Sequence, residues 1–347
     1  MRHLQAVVGA ITTAVSLVIS LAAASAQTAT APFYAGKQIK LITHVGPASG
    51  YSVWARLVGA HLGRHIPGSP SIVIQSMPGA GGMKAANYLF SLASKDGLEL
   101  GAVNRLVPTL SIMGSPGATF DSGQFGWLGS PASDTNLCIV SKATPIRTVD
   151  DLLNKEVIVG TDGVGSGMHI FPTALNSVLG TKFKIIDGYK DTGDVLLAID
   201  RGEIQGLCLS AETLTNMRGD SFKTGEWRAI LQAGMTSSAD FADVPLALAY
   251  AKTERQKQTL EFLFASQTFG RPYLAPPGVP PERLALLRKA FDETMRDPDF
   301  LADVAKQHLK TSPITGADMD HLIAELKLIP KDVVATVAKL MGPGEGN

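Results

Sequence analysis

The sequence predicts an α/β fold made of two lobes with a ligand cleft between them, and two observations predict it. From Lys37 onward, short β-branched runs alternate with apolar residues at helical spacing, which is typical of a mostly parallel sheet flanked by helices. This pattern restarts after Gly129, and a Pro-rich stretch at 273–280 then returns the chain to its first lobe. We therefore expect two mixed, mostly parallel sheets.

The first lobe is predicted from two complete strand–loop–helix units and a third strand. The strands are expected at 39–43, 72–74 and 98–103. The loops 46–51 and 78–82 each lead into a helix. The apolar stripes of these helices comprise Trp54, Leu57, Val58, His61 and Leu62 in the first, and Ala86, Leu89, Phe90 and Ala93 in the second.

The second lobe repeats this plan, and the chain then returns to the first. Its strands are expected at 137–140, 157–159, 184–186, 207–209 and 229–231. Its helices are expected at 148–153, 170–178, 195–199 and 244–264. After the return, helices are expected at 284–295 and 300–308 and in a terminal tail. The first lobe would thus comprise residues 33–133 and 266–347, and the second residues 134–265.

Composition supports a packed globular protein without a polyanionic partner. The chain has 347 residues and a hydrophobic share of 45%, enough for two ordinary domains or one large one. Lys plus Arg and Asp plus Glu number 31 each, so the net charge is zero. This balance offers no electrostatic basis for holding a nucleic acid or an anionic membrane surface.

The N-terminus reads as a secretory signal peptide over residues 1–26. Arg2 precedes an uncharged stretch from Leu4 to Ala24, and a small-x-small cleavage site ends at Ala26. The alternative is an uncleaved membrane anchor, because the stretch is nearly long enough to span a bilayer. No cysteine near the cleavage site could carry a lipid, and no later apolar run approaches membrane-spanning length. We expect a mature protein free in the periplasm.

Only two cysteines are present, Cys138 and Cys208. An exported pair can form a disulfide where geometry allows. Each nevertheless lies in a strand-like apolar run, where a buried free thiol is common. We favour two buried free thiols, with a disulfide as the alternative.

Three loops join a strand end to a helix start: 46–52, 78–82 and 160–167. In open α/β sheets ligands bind at the carboxyl ends of strands, and the unpaired N–H groups at helix starts attract anions. Ser49, Thr161 and Ser166 could add hydroxyl donors. The loops therefore indicate an oxyanion pocket, although ordinary tight turns would use glycine equally well.

Motifs of cofactor, metal or catalytic sites are incomplete. None of the three loops matches a phosphate or dinucleotide fingerprint. Ser166 follows a strand, but Val164 stands where the elbow of a serine hydrolase requires glycine. His61 and His65 have helical spacing without a third metal ligand. We expect no cofactor, no metal and no enzymatic activity, and a secreted hydrolase is the less favoured alternative.

Three further side chains could reach the same cleft. Arg105 ends the third strand, where a guanidinium can bind a carboxylate through two parallel hydrogen bonds; a surface ion pair is the alternative. His169 lies in the first turn of a helix, and Tyr189 follows a strand. Tyr51 and Trp127 would favour an aromatic or longer acid if they line the cleft, but both could be core residues.

At these loops the chain resembles the Bug-type receptors of the tripartite tricarboxylate transporter family, which have the type II periplasmic binding-protein fold. The resemblance covers essentially the whole mature chain and rests on five motifs in matching order. They are the strand 40–42 with its following loop, 77–82, 161–169, 188–190 and 274–280. The first loop departs from the family pattern at 47–52, and the segment 244–264 is longer than the family norm, with a structural or permease-docking role.

The resemblance implies a receptor that captures a small organic carboxylate by hinge closure and delivers it to the integral-membrane permease subunits of such a transporter. It also implies a monomer that performs no chemistry, and a sensor for a membrane signalling kinase is the alternative. The loops of such receptors surround the carboxylate with backbone N–H groups. The implied ligand-binding residues are Ser49, Gly50, Tyr51, Ala80, Gly81, Thr161, Ser166 and His169, beside Arg105 and Tyr189.

Overall fold

The computed structural model describes residues 32–47, 49–163, 166–190 and 192–341. The expected signal peptide, residues 1–26, lies outside the described residues. Within the described part of the chain, no helix combines the length and the apolar character needed to cross a bilayer.

The strands form two sheets, and the first half of the chain supplies most of the first sheet. In chain order the strands are β1 (Gln38–Thr43), β2 (Ser71–Ser76), β3 (Glu99–Ala102), β4 (Gly126–Ser130), β5 (Asn136–Ser141), β6 (Val157–Gly160), β7 (Phe183–Ile186), β8 (Gly206–Ser210), β9 (Trp227–Ala233), β10 (Tyr273–Ala275) and β11 (Ile314–Thr315). The first sheet has the order β11-β4-β10-β3-β1-β2 and the second has the order β7-β6-β8-β5-β9.

Helices cover both faces of each sheet. In chain order they are α1 (Gly50–Leu62), α2 (Met83–Ser91), α3 (Val107–Leu110), α4 (Val149–Asn154), α5 (Gly167–Leu179), α6 (Thr192–Asp200), α7 (Ala211–Lys223), α8 (Glu254–Phe269), α9 (Pro281–Thr294), α10 (Pro298–Lys306), α11 (Gly316–Leu328) and α12 (Lys331–Leu340). The predicted α/β class with mixed sheets is therefore present.

Both sheets contain less parallel pairing than the sequence suggests. In the first sheet, β1 pairs in parallel with β2 and β3, whereas β10 and β11 return antiparallel to their neighbours. In the second sheet, β6 pairs in parallel with β7 and β8, and β5 lies antiparallel to β8 and β9. Two of the antiparallel strands, β5 and β10, begin directly after the chain passes from one sheet to the other.

The described residues form three apolar clusters, each built around one buried tryptophan. Trp54 lies in the cluster between the first sheet and helices α1, α9 and α10. Trp227 lies in the cluster between the second sheet and helices α6 and α7. Trp127 lies in the largest cluster, which is lined by both sheets and by α2, α5, α8, α11 and α12. Successive side chains of a strand point to opposite faces of the sheet, so alternate residues of β5 belong to the Trp127 cluster and to the Trp227 cluster.

The two cysteines are joined in a disulfide, so the preference for free thiols is wrong. The register of β5 and β8 explains the bond, because it places Cys138 directly opposite Cys208 on neighbouring antiparallel strands. The apolar runs around each cysteine predict the strands correctly. They contain no information on how the two strands pair.

The helix expected at 244–264 begins later. Short 3₁₀ turns occupy Ala239–Phe241 and Ala247–Tyr250, and α8 starts only after Thr253. Thr253 and Gln256 form a capping box, in which each side chain accepts a hydrogen bond from the other residue's backbone N–H. The last half of α8 is buried, and α12 packs against both α8 and α5.

Candidate functional site

The loop after β1 leads directly into the start of α1. Ser49 caps this helix, and its Oγ accepts a hydrogen bond from the Tyr51 N–H at 3.3 Å. The Ser52 hydroxyl donates to the Gly46 carbonyl at 2.8 Å and braces the loop. The first amides of a helix have no partner within it and carry the positive end of the helix dipole. Ser49, Gly50 and Tyr51 thus form the capped start of α1, just after the carboxyl end of β1.

The loop after β2 has an unusual backbone. Its φ angles are 141° at Gly79, 47° at Ala80, 60° at Gly81 and 99° at Gly82. A positive φ is strained for alanine, and such strain concentrates at ligand-binding sites. At Gly82 a Cβ would lie 3.0 Å from the Asn104 Cβ, so only glycine lets this loop approach the end of β3.

His44 and Tyr51 join the segment after β1 to the segment after β3. Their rings meet edge to face with centroids 4.5 Å apart, and the His44 Nδ1 lies 3.3 Å from the Ala102 carbonyl. Burial lowers the pKa of His44, and the charge of Arg271 acts in the same direction. The Tyr51 hydroxyl accepts a hydrogen bond from the Arg105 N–H at 3.3 Å, and the Arg271 guanidinium lies 4.4 Å above the tyrosine ring.

A second group of polar residues surrounds the end of β6. Thr161 is fully buried, donates from Oγ1 to the Asp187 Oδ1 at 2.7 Å and accepts from the Gly163 N–H at 3.0 Å. The same Asp187 oxygen lies 2.7 Å from the His169 Nδ1. Ser166 caps α5, and its Oγ accepts from the His169 N–H at 3.3 Å.

Asp187 is the centre of this second group. Burial raises its pKa, but the hydrogen bonds from Thr161 and His169 outweigh burial, so the pKa lies below its ordinary value. The ionised carboxylate fixes the orientation of the His169 ring. Tyr189 donates its N–H to the Thr161 carbonyl at 3.3 Å, and its ring packs against Gly160. The side chain of Tyr189 thus serves partly as packing.

The sequence-predicted residues fall into two groups, one at each sheet. Among the described residues, no hydrogen bond or ring contact joins one group to the other. The first group is Ser49, Gly50, Tyr51, Ala80, Gly81 and Arg105, and the second is Thr161, Ser166, His169 and Tyr189. Trp127 is a core residue, because it is fully buried and its Nε1 donates to the Ser122 carbonyl at 2.9 Å.

Sequence reasoning missed three residues of these groups. Asp187 immediately precedes the motif 188–190, so its position was a usable signal. His44 directly follows β1, but a lone histidine after a strand has no distinctive pattern. Arg271 lies 220 residues after Tyr51, and only the fold brings the two together.

The pair His61 and His65 has a structural explanation. His61 Nε2 lies 3.0 Å from the Asp303 carboxylate, and His65 Nε2 lies 2.8 Å from the Asp297 carboxylate. His61 thus attaches the end of α1 to α10, and His65, in the 3₁₀ turn Gly63–His65 after α1, contacts Asp297, which caps α10. Among the described residues, no group of three or more His, Cys, Asp or Glu is arranged to hold a metal ion.

Comparison with known proteins shows which family this chain resembles. The model for the tripartite tricarboxylate transporter family receptor matches residues 55–335. A UPF0065 protein of Bordetella bronchiseptica is 24% identical over 289 residues, which cover 82% of this chain and 79% of that protein. The resemblance predicted from the five motifs is therefore confirmed.

Solved structures show the same fold. A TctC solute-binding protein from Polaromonas has a TM-score of 0.69 at 18% identity, and the match covers 87% of this chain and 99% of that one. MatC from Rhodopseudomonas palustris, solved with bound malate, has a TM-score of 0.55 at 18% identity, with 86% of this chain and 99% of MatC covered. The predicted two-lobed periplasmic binding-protein fold is confirmed.

Proposed function

Because this chain belongs to the tripartite tricarboxylate transporter family of receptors, we propose that it captures a small organic carboxylate between its lobes and delivers it to membrane permease subunits. The observation that carries the proposal is a capped helix start at the carboxyl end of each sheet, at Ser49 on α1 and at Ser166 on α5. Each supplies backbone N–H groups and a positive dipole end to an anion.

The side chains around these helix starts fit a carboxylate. The loop at 79–82 contains three glycines, and its backbone at Gly82 approaches His44 without an intervening Cβ atom. On the second lobe, Asp187 orients His169, whose remaining ring nitrogen is available to a ligand. The malate found in MatC belongs to the same chemical class.

The mechanism is hinge closure without chemical turnover. The ligand binds one lobe in the open form, and the second lobe closes over it. Only a ligand that contacts both lobes stabilises the closed form, since a ligand can shift the equilibrium only by its differential affinity. Micromolar affinity requires about 8 kcal/mol, which several charge-assisted hydrogen bonds can supply. We take residues 33–133 with 266–347 as one lobe and 134–265 as the other.

The receptor acts in the periplasm as a monomer. Residues 1–26 would direct export and be removed after Ala26. The disulfide between Cys138 and Cys208 supports this location, because such bonds persist in oxidising compartments.

A thermal-shift screen tests the proposed function. The exported protein is heated with dicarboxylates, tricarboxylates, amino acids and aromatic acids, and a ligand that binds only the folded state raises the melting temperature. We expect a saturable increase of several degrees from one acid. His169→Ala should weaken binding of that acid about tenfold through loss of a donor.

His321→Ala is the matched control, because His321 is exposed on α11 and away from both polar groups. It should retain the wild-type response. No shift from any organic acid, or equal losses in both histidine variants, would contradict the proposed function.

A further inference from the structure

A cavity of about 570 Å³ lies between α12 and the segment that joins α3 to β4. Residues 111–114 and 120–121 of that segment line one side of it. Lys331, Val334 and Ala335 of α12 also line the cavity, and the end of α11 contributes Lys327. A volume of this size is typical of pockets that hold one small organic molecule.

This cavity lies at the opposite edge of the first sheet from the helix start at Ser49. Strand β4 is antiparallel to β10, which is itself antiparallel to β3, so β4 runs in the same direction as β1 and β3. Phe120 and Asp121 precede the start of β4, whereas Ser49 follows the carboxyl end of β1. Among the described residues, no side-chain hydrogen bond or ion pair joins the lining to the polar groups around Tyr51 and His169. The cavity is therefore separate from the ligand cleft.

The interior of the cavity is apolar. Phe120 and Val334 are 5% and 7% exposed and belong to the largest apolar cluster, which both sheets share. Ile112, Met113 and Ile329 are half-buried and pack against that cluster. Apolar side chains that line a cavity favour a hydrocarbon group of a ligand over water.

The rim of the cavity carries one positive charge without a partner. Lys327 and Asp121 pair at 2.6 Å and neutralise each other. Asp332, the acidic neighbour of Lys331 in the chain, pairs with Arg255 instead. The Lys331 ammonium is exposed and has no hydrogen-bond or ion-pair partner in the part of the chain that the structure describes. The lining thus has a net charge of one positive unit, which favours a ligand with a single negative charge.

We propose that this cavity binds an amphipathic monocarboxylate, with the carboxylate on Lys331 and the hydrocarbon chain against Phe120 and Val334. The apolar interior and the unpaired cation at the rim match the two parts of such a molecule. A dicarboxylate would have to place its second charge in the apolar interior or beside Asp121, and both positions are unfavourable. The site is independent of the proposed function, since it takes a different class of acid at a different edge of the sheet.

Calorimetric titration of the exported protein with straight-chain acids tests this site. The acids are hexanoate, octanoate and decanoate, each kept below its critical micelle concentration. We expect one molecule bound per chain and an affinity that rises about two- to fourfold with each added methylene, because each one buries more apolar surface. Decyltrimethylammonium, which has a cationic head on a chain of the same length, should bind about tenfold more weakly than decanoate.

Variants of α12 locate the bound acid. Lys331→Gln should weaken decanoate binding about three- to fivefold and should not weaken the binding of decyltrimethylammonium. Lys339→Gln is the matched control, because Lys339 is exposed near the end of the same helix and does not line the cavity. It should retain the wild-type affinity. Ala335→Trp should abolish decanoate binding by filling the cavity, and the chain should stay folded because Ala335 is exposed.

Three results would overturn this site. Absence of saturable decanoate binding to wild type would leave a protein partner as the occupant of this surface. Equal affinities of Lys331→Gln and Lys339→Gln for decanoate would mean that the acid binds elsewhere, including in the cleft. Equal affinities of wild type for the anionic and cationic chains would exclude a role for the charge of Lys331. If Lys331→Gln fails to fold by circular dichroism, Ala335→Trp decides.

Failure of this site is distinguishable from failure of the proposed function. The thermal-shift screen reports on small acids in the cleft, and its matched variants lie at His169 and His321. The titration with straight-chain acids is read from variants of α12. Each proposal therefore stands or falls on its own measurement.

Discussion

Asp134 lies where the chain crosses from the first sheet to the second, and it is half-buried. Burial raises the pKa of Asp134, and the Ser210 hydrogen bond and the Arg105 charge offset burial only in part. For an acid whose pKa is higher in the folded state, the stabilising contribution is complete below the unfolded pKa. It is lost as the pH rises through the folded pKa.

Replacing Asp134 with asparagine should remove this pH dependence. The amide oxygen can still accept from Ser210 and Thr135, so the hydrogen bonds survive while the charge does not. Relative to wild type, Asp134→Asn should gain on the order of 1 kcal/mol as the pH rises from about 4 to about 7. Urea unfolding at a series of pH values measures the difference.

Asp243→Asn is the control for this experiment, because Asp243 is exposed in the loop before the 3₁₀ turn at Ala247–Tyr250. Its unfolding free energy should run parallel to that of wild type. A parallel curve for Asp134→Asn would show that burial does not disfavour the charge of this carboxyl.

Residues that interact with their sequence neighbours were predictable from the sequence. Residues whose contacts lie far away in sequence were not. Ser49 and Ser166 follow strands and precede apolar helical stripes, so their capping roles can be inferred within a few residues. Arg271 and Asp134 obtain their environment from segments far away in sequence. No local pattern distinguishes Arg271 from the surface arginines.

At the scale of elements, the pairing of β5 with β8 depends on the close approach of Gly206 to the backbone of Ile139. A Cβ on Gly206 would lie 2.0 Å from the Ile139 carbonyl oxygen, and this atom belongs to the backbone of the neighbouring strand. Gly206→Ala should therefore push the two central strands apart and lower the unfolding free energy by about 1–3 kcal/mol or more. Urea denaturation measures the loss.

Gly219→Ala provides the comparison within the same lobe. Gly219 lies in α7, and the nearest side-chain atom to its added Cβ is 4.0 Å away. This variant should be neutral or slightly stabilised, since alanine favours a helix more than glycine does. Equal effects of the two variants would mean that the close approach does not limit strand pairing.

Elements with regular apolar spacing were predicted well, and short or irregular ones were missed. The strand β11 has only two residues, too few for any periodicity. The helix α7 buries only Ala211 and Leu214 and is interrupted at Arg218, so its apolar stripe is weak. The start of α8 was misplaced because its capping box, rather than its hydrophobicity, marks the boundary.

At the scale of the whole molecule, one apolar cluster is shared by both sheets. It contains residues of β1 and β4 from the first sheet, residues of β5 and β8 from the second, and buried residues of α8 and α12. Because the lobes share this core, wild type should unfold in a single calorimetric transition.

Val337→Asp should uncouple the two lobes. Val337 is fully buried on α12, and an unpaired carboxylate at this position should cost about 3 kcal/mol or more. We expect scanning calorimetry to show a lower melting temperature and a transition that broadens or divides in two. Ala335→Asp, at an exposed position of the same helix, should preserve the single transition. Two separate transitions in wild type would refute the shared core.

The distribution of the three tryptophans makes each apolar cluster optically distinguishable. Trp54 is 2% exposed, Trp127 0% and Trp227 5%, and each belongs to a different cluster. Replacing any two with phenylalanine would leave a chain whose tryptophan fluorescence reports the surroundings of one cluster alone. The emission of the unaltered chain is then a sum of three reporters, one in each apolar cluster.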